Sequence, residues 1–172
     1  DIALDIIKVL KSTKTPTIMI SHDPQEAMRL ADKIIVMLDG DIIDQGSPKN
    51  IYKNSKHPFS ARLIGPTSTY ISTSNKGILN TPFGKITVND KYTTKYELII
   101  RPEAFTFSNS KKLIKINIIS YKYLGILTEV EISDLNKSKN IKFLLFSNVF
   151  DKILISERLL FNKDWAFVFP IK

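Results

Sequence analysis

Apolar side chains at the start of the chain recur with a helical period and then form an unbroken run. In residues 1–14 the large aliphatic positions Ile2, Ile6 and Val9 fall three or four apart, which predicts an amphipathic helix. The dipeptide Thr15-Pro16 ends this helix, because the residue before a proline is disfavoured in the α conformation. Residues 17–20 are almost entirely apolar and predict a short strand buried on both faces.

A second helix follows this run. Asp23 is placed to cap it, Pro24 suits its first position, and Glu26 can reach back as in a capping box. The pattern carries this helix to about Asp32.

A hairpin and two short helices complete the first part of the chain. Residues 33–38 and 41–45 flank Asp39-Gly40, a dipeptide that favours a hairpin because both positions tolerate a positive φ. Ser47-Pro48 begins a helix that reaches Tyr52, and a weaker helix covers residues 59–64.

From Pro66 onward the chain has the pattern of strands. Every second side chain is apolar in residues 115–118 and 129–132, as in a sheet with one dry and one wet face. Asn, Ser, Gly and Asp clusters separate the strand-like segments at the spacing of a small barrel or sandwich. The predicted strands are 69–72, 77–79, 85–88, 97–101, 113–123, 127–132, 141–146 and 165–171. We therefore predict an α/β piece over residues 1–65 and an all-β module over residues 66–172.

Composition excludes several classes of protein. The chain of 172 residues is 43% hydrophobic and 24% charged, as expected of an ordered globular protein. It has no cysteine, which excludes disulfides, thiolate metal sites and iron–sulfur clusters, and its two histidines exclude a His-rich zinc site. It shows no signal peptide and no apolar run of the roughly 18–20 residues that a spanning helix needs, so we predict the cytoplasm.

The net charge of +8 comes almost entirely from the second part. Residues 66–172 hold sixteen basic and nine acidic residues, whereas residues 1–65 hold nine and eight. The excess is mainly lysine beside Asn and Ser, which is typical of a solvated surface, although a basic half also suits a polyanion.

The first part is too small for the sheet that its pattern implies. It begins without a methionine and inside a helix, and it contains one core strand, a hairpin and short helices. Such a piece would be marginally stable alone, so we expect it to be the C-terminal part of a longer chain.

The strongest candidate site is Ser21-His22-Asp23, between the predicted buried strand and a helix N-cap. Ligands bind α/β sheets at this edge, where a neutral imidazole can donate an N–H to a phosphate oxygen. The alternative is a structural histidine in a turn. A hydrolase is disfavoured, because no glycine flanks Ser21 and adjacent residues on a strand point to opposite faces.

Other candidates have structural alternatives. Arg101, beside Pro102 and Glu103, is either an anion contact or a partner of Glu103 that fixes a corner. Three aromatic residues suit either packing or a base-stacking platform: Tyr121, Tyr123 and Trp165. His57 before Pro58 suggests a turn.

Several short motifs together resemble a known family. They are Ser21-His22-Asp23-Pro24-Gln25-Glu26-Ala27-Met28, Ala31-Asp32-Lys33, Asp39-Gly40-Asp41, Gln45-Gly46-Ser47-Pro48, His57-Pro58-Phe59 and Ile100-Arg101-Pro102-Glu103, with Leu124-Gly125. The chain resembles the C-terminal part of the ATP-binding subunits of ABC importers, from the switch-histidine region into the OB-like regulatory domain often called TOBE. The likeness is specific in residues 16–65 and looser afterwards.

The resemblance implies a transport ATPase. In such subunits a homodimer sandwiches ATP with Mg²⁺ and drives membrane permease subunits, which receive cargo from a periplasmic or extracellular solute-binding protein. The subunit lies in the cytoplasm, peripheral to the inner face of the membrane. His22 would be the catalytic and ATP-contacting switch histidine, whereas Arg101, Pro102 and Glu103 would be regulatory or structural. This interpretation requires an outward-facing His22 ring after an extended strand.

The sequence also departs from the family pattern. It has no phosphate loop, no signature loop and no strand ending in an Asp-Glu pair, so these residues alone should neither bind ATP tightly nor hydrolyse it, and they supply no Mg²⁺ ligands. Residues 81–84 resemble a segment of ferric-iron importers, which places iron ahead of polyamines, sulfate or sugars. The alternative function is a non-enzymatic basic β-barrel that binds a small anion or single-stranded nucleic acid; the importer interpretation expects no nucleic acid.

Overall fold

The chain folds into two compact units, Asp1–Gly65 (unit 1) and Pro66–Lys172 (unit 2). The computed structural model describes residues 2–90, 94–107, 113–133 and 140–171. The fold is mixed α/β and rich in strands, and the strand-rich part is consistent with an OB-like domain.

The described residues of unit 1 form four helices, three of which begin with proline after a capping side chain. Asp23, Ser47 and His57 each accept a hydrogen bond from a backbone N–H of the first turn. The helices are α1 (Ile2–Ser12), α2 (Pro24–Leu30), α3 (Pro48–Lys53) and α4 (Pro58–Ile64). The predicted caps at Asp23 and Ser47 are confirmed, whereas α1 and α2 end about two residues before their predicted limits.

The predicted hairpin is present. β1 (Ile34–Leu38) and β2 (Asp41–Gly46) pair antiparallel around Asp39 and Gly40, whose φ values are 52° and 89°. One face packs Ile34 and Val36 against Ile51 and Ile64, and these four residues form a small buried core in unit 1, where Leu30 and Ala61 are buried as well.

A buried carboxylate ties this hairpin to the loop after α3. Asp44 Oδ1 accepts from Gln45 N and Oδ2 accepts from Lys56 N, both at 2.9 Å. Because both oxygens are hydrogen-bonded to backbone donors, Asp44 can remain buried at the end of the apolar core.

The predicted buried strand over residues 17–20 is wrong for this structure. Residues 15–21 form neither helix nor strand, and Ile18 and Ile20 are 94% and 96% exposed. A strand is defined by its backbone pairing, and no described residue pairs with this segment. The apolar side chains of residues 17–20 are therefore suited to burial, but no described residue covers them.

The described residues of unit 2 form three sheets, one α-helix and two short 3₁₀ turns. The five-stranded sheet has the order β13-β6-β3-β4-β5, and the three-stranded sheets have the orders β11-β10-β9 and β7-β12-β8. The strands are β3 (Ser68–Asn75), β4 (Ile78–Thr81), β5 (Gly84–Thr87), β6 (Lys95–Ile100), β7 (Phe105–Thr106), β8 (Ile114–Lys115), β9 (Asn117–Tyr123), β10 (Leu127–Ser133), β11 (Asn140–Phe146), β12 (Arg158–Phe161) and β13 (Ala166–Pro170).

Four phenylalanines form the centre of the core of unit 2. The Phe105 ring lies 4.3 Å from the Phe143 ring and 4.9 Å from the Phe83 ring, centroid to centroid, and Phe161 packs against both Phe83 and Phe105. Phe83 belongs to residues 81–84, the segment that resembles ferric-iron importers. Its side chain is part of this buried core.

The prediction of an all-β second part is wrong at one element. Residues 147–156 form helix α5 (Ser147–Ser156), which buries Phe150 and Ile153 and ends at Glu157 in the left-handed conformation. The predicted strand over residues 113–123 is divided into β8 and β9 at Ile116, and β7 and β12 were not predicted. Short elements such as β7 and β12 form through distant pairing, which leaves little periodicity in the sequence.

Candidate functional site

The turn before α2 is held by hydrogen bonds on both sides of His22. Asp23 Oδ1 accepts from Gln25 N at 2.8 Å and caps the helix. Ser21 Oγ accepts from Asp23 N at 3.0 Å and donates to Glu26 Oε2 at 2.6 Å. Glu26 thus reaches back over the turn as expected, but it binds the Ser21 hydroxyl and not the Asp23 N–H of a capping box.

The imidazole of His22 is exposed at this turn. Within the described part of the chain its ring makes no hydrogen bond or ion pair, and it is not packed into the small core of unit 1. An exposed neutral imidazole can donate one N–H to an oxygen of a bound group and accept a hydrogen bond at its other nitrogen. The surrounding hydrogen bonds restrain the backbone of the turn and thereby limit the positions that the His22 ring can take.

The described residues do not complete a nucleotide site around His22. His22 is exposed, as the importer interpretation requires, but residues 15–21 form no strand, so its second requirement, an extended strand before His22, is not met among the described residues. Among the described residues there is no group of three or more metal-binding side chains, and the sequence has no phosphate loop. The group that this turn presents to a phosphate oxygen is the exposed imidazole of His22.

The second histidine has a structural role. His57 Nδ1 accepts a hydrogen bond from Phe59 N at 3.1 Å and thereby caps α4. The sequence suggested a turn at this position, and the structure specifies it as a helix cap that requires an unprotonated Nδ1.

Arg101 is a buried side chain at the end of β6. It is 0% exposed, its Nη1 donates to the carbonyl oxygen of Pro66 at 3.3 Å, and its guanidinium lies 5.5 Å from the centroid of the Phe167 ring. Pro102 and Glu103 follow in a short 3₁₀ turn. The guanidinium is thus shielded from solvent and contacts the Phe167 ring of β13, as expected of the structural alternative.

The three aromatic candidates do not lie on one surface. Tyr121 and Tyr123 are neighbours on β9, both about half exposed, and both rings contact Phe150 of α5. Trp165 lies in a 3₁₀ turn before β13 and packs against the core of unit 2. The structure therefore offers two adjacent tyrosines and not a platform of three rings.

One hydrogen bond in this region was not predicted from the sequence. The Tyr123 hydroxyl donates to Asp151 Oδ1 at 2.6 Å, and this bond raises the pKa of Tyr123 above its usual value. The two residues are 28 positions apart, and finding the pair required the prediction of α5, which carries Asp151.

Comparisons with known proteins identify relatives of one kind. The chain is 30% identical over 126 residues to the Fe(3+) ions import ATP-binding protein FbpC of Photobacterium profundum. It is 27% identical over 133 residues to the spermidine/putrescine import ATP-binding protein PotA of Mycoplasma genitalium, and 32% identical over 95 residues to a sulfate/thiosulfate import ATP-binding protein, CysA 1, of Agrobacterium fabrum. These matches cover 68%, 73% and 55% of this chain. No protein-family model matches the chain.

These relatives are ATP-binding subunits of ABC importers, and their names cover iron, polyamines and sulfate. They do not favour the alternative of an isolated anion-binding or nucleic-acid-binding module. The matched regions span 35%, 24% and 28% of the relatives' own lengths, so the chain corresponds to about a quarter to a third of each.

Proposed function

We propose that the chain is the C-terminal portion of the ATP-binding subunit of an ABC importer. In this proposal residues 1–65 belong to the nucleotide-binding domain and residues 66–172 form the OB-like TOBE domain. The observation that carries it is the match to import ATP-binding subunits with three different named solutes, each over more than half of the chain. What these relatives share is ATP-driven import.

Exposed apolar side chains of unit 1 support the proposal that it is part of a larger domain. Ile18 and Ile20 are almost fully exposed. Ile35, Met37 and Ile42 form an exposed apolar face on the outer side of the hairpin, where Met37 pairs with Ile42. A soluble monomer seldom exposes such surface without a function. Residues of the same nucleotide-binding domain would cover these side chains and supply the strand neighbours that residues 17–20 lack.

His22 would contact the terminal phosphate of ATP. Its exposed ring can donate a hydrogen bond. The Asp23 N–H donates to Ser21 Oγ, which donates to Glu26, and these bonds fix the turn that carries the ring. A preorganised donor of this kind stabilises charge that develops during phosphoryl transfer. ATP itself supplies the transferred phosphoryl group, and Mg²⁺ would be held by residues outside this sequence. These 172 residues alone are therefore expected to be inactive.

The assembly would follow the pattern of the relatives. We expect a homodimer of the complete subunit that works on membrane permease subunits at the inner face of the membrane, with a solute-binding protein on the other side. Among the described residues no helix is long and apolar enough to span a bilayer; the longest, α1, has 11 residues.

The cargo belongs to the range covered by the relatives, with ferric iron as the first choice from residues 81–84. In the structure this segment is a turn in which Thr81 Oγ1 donates to Gly84 O at 2.7 Å and Phe83 is buried in the core. The support for iron is therefore the resemblance of residues 81–84, since the buried side chain of Phe83 is explained by packing.

The test is the substitution His22→Ala in the complete subunit assembled with its permease. We expect the rate of ATP hydrolysis to fall about 10²-fold, the usual effect of losing one preorganised donor. The matched control is His57→Asn, which replaces the other histidine and keeps an oxygen acceptor for the cap of α4. Hydrolysis near the unsubstituted rate in His22→Ala would refute the assigned role, and a loss in both variants would refute its specificity.

A further inference from the structure

One hydroxyl group joins the two residues on either side of His22 to each other and to α2. Asp23 N donates to Ser21 Oγ at 3.0 Å, and the same oxygen donates to Glu26 Oε2 at 2.6 Å. A hydroxyl can do both at once because it has one hydrogen and two lone pairs. The peptide group that supplies Asp23 N is the one that joins His22 to Asp23. The Ser21 hydroxyl therefore restrains the backbone on the C-terminal side of His22.

The carboxylate of Glu26 determines the direction in which the hydroxyl hydrogen of Ser21 points. A second acceptor, the carbonyl oxygen of Asp23, lies 3.5 Å from Ser21 Oγ. That distance is long for a hydrogen bond between two oxygens, whereas the 2.6 Å contact with Glu26 has the length of a bond to a charged acceptor. The Glu26 carboxylate therefore takes the hydroxyl hydrogen and leaves a lone pair of Ser21 Oγ directed at Asp23 N.

The competing acceptor already has a function in the helix. The carbonyl oxygen of Asp23 accepts from Ala27 N at 3.2 Å, and this bond belongs to the first turn of α2. If the Glu26 carboxylate were removed, the Ser21 hydroxyl could turn toward Asp23 O, the next acceptor in this turn. It would then compete with Ala27 N for that oxygen, and its alignment with Asp23 N would change. The peptide group after His22 would thereby lose its restraint.

Glu26 is held in place by the helix that carries it. It lies in the first turn of α2, which Asp23 Oδ1 caps by accepting from Gln25 N at 2.8 Å, and α2 is anchored by the buried side chain of Leu30. Glu26 is itself partly buried, whereas Ser21 and His22 are exposed. The carboxylate is therefore the fixed end of this arrangement, and the Ser21 hydroxyl transmits its position to the backbone of an exposed residue.

We propose that Glu26 and Ser21 are positioning residues for His22. The Glu26 carboxylate orients the Ser21 hydroxyl, and the hydroxyl holds the peptide group that follows His22. This inference rests on the function proposed above, in which His22 contacts the terminal phosphate of ATP; Glu26 and Ser21 act on the reaction through His22 and not on the nucleotide. Because a displacement of about 1 Å can cost a reaction much of its rate, loss of this restraint slows hydrolysis.

The experiment measures kcat and KM for ATP in the complete subunit assembled with its permease. It compares four forms: the unsubstituted subunit, Glu26→Ala, His22→Ala and the double variant. We expect Glu26→Ala to lower kcat about tenfold, the effect of losing one hydrogen bond to a charged group, and to leave KM within about twofold. The double variant should have the same kcat as His22→Ala alone, because Glu26 has no route to the reaction once the imidazole is absent.

Conservative variants separate positioning from a general loss of structure. Glu26→Gln keeps an oxygen acceptor and Ser21→Thr keeps the hydroxyl, so each should retain at least about half of the kcat. Ser21→Ala removes the hydroxyl and should match Glu26→Ala, and it serves as the test if Glu26→Ala fails to assemble with the permease. The matched control is Asp41→Ala, which removes an exposed carboxylate of the same unit and should leave kcat unchanged.

The outcomes distinguish this inference from the proposed function. A kcat of Glu26→Ala near that of the unsubstituted subunit, together with a large loss in His22→Ala, would overturn the positioning role and leave the role of His22 intact. A double variant about tenfold slower than His22→Ala would also overturn it, because the two residues would then act independently. Equal losses in Glu26→Gln and Glu26→Ala would do the same. Unchanged hydrolysis in His22→Ala would overturn the role of His22 and the positioning role with it.

Discussion

The two units use similar local patterns but bury them to different extents. Unit 2 packs four phenylalanines and the aliphatic residues of its strands and α5 into one continuous core. Unit 1 has a small buried cluster of four aliphatic residues, Ile34, Val36, Ile51 and Ile64, with Leu30 and Ala61 also buried. It leaves Ile18 and Ile20 in solvent. An apolar pattern therefore predicts where a side chain should be buried, but burial also requires the surface that covers it.

Because of this difference, we expect unit 2 to be more stable than unit 1. A core that excludes water from many large side chains stabilises a fold in proportion to the apolar area that it removes from solvent. Unit 1 gains little from this effect and relies more on local interactions such as the caps of α2, α3 and α4. The largest effects of single substitutions are therefore expected in unit 2.

The largest expected effect is that of Phe105→Ala. Phe105 is fully buried and contacts the rings of Phe83, Phe143 and Phe161, so its removal leaves a cavity that β-sheet neighbours cannot readily fill. We expect unit 2 to lose about 3–5 kcal/mol of stability. Chemical denaturation followed by the fluorescence of Trp165, the single tryptophan of the chain, measures this in unit 2.

The control is Ile126→Ala, which shortens an exposed aliphatic side chain in the same unit. It should change the stability of unit 2 by no more than about 0.5 kcal/mol. A small effect of Phe105→Ala, comparable to that of Ile126→Ala, would contradict the description of unit 2 as the part with a complete core.

A smaller effect is expected from pH. The hydrogen bond to Asp151 raises the pKa of Tyr123 above that of an unfolded tyrosine, so the protonated phenol favours the folded state. This stabilisation is complete below the unfolded pKa of about 10 and is lost as the pH rises through the folded pKa. Stability measured from pH 8 to pH 11 should therefore fall more steeply in the unsubstituted chain than in Tyr123→Phe. Equal slopes would show that the Tyr123–Asp151 bond does not contribute.

Local signals in the sequence predicted most of unit 1. The caps at Asp23 and Ser47 and the Asp39-Gly40 hairpin depend on neighbouring residues alone, and each is present. Interactions within a few residues can be recognised without knowledge of the rest of the fold. Glu26 shows where such local prediction fails. Its carboxylate accepts from the Ser21 hydroxyl and not from the Asp23 N–H, because both donors lie nearby and compete for it.

Elements that depend on distant partners were predicted less well. Residues 17–20 are apolar like a buried strand, yet they form none because no described strand lies beside them. Helix α5 was not predicted, although Val149, Phe150 and Ile153 follow a helical spacing, because this short segment lies between strand-like segments. The site was predictable to the same degree: the sequence located the turn around His22, but the burial of Arg101 and the contact of Tyr123 with Asp151 required the folded chain.

The most direct measurement of the relation between unit 1 and a larger domain is amide hydrogen exchange at residues 17–20. It compares this 172-residue chain with the complete importer subunit. We expect the amides of Ile18, Met19 and Ile20 to exchange nearly as fast as in an unfolded peptide in the shorter chain. In the complete subunit they should be strongly protected, because neighbouring strands would then pair with them. Fast exchange in both proteins would contradict the proposal that this exposed apolar segment is a strand of a nucleotide-binding domain.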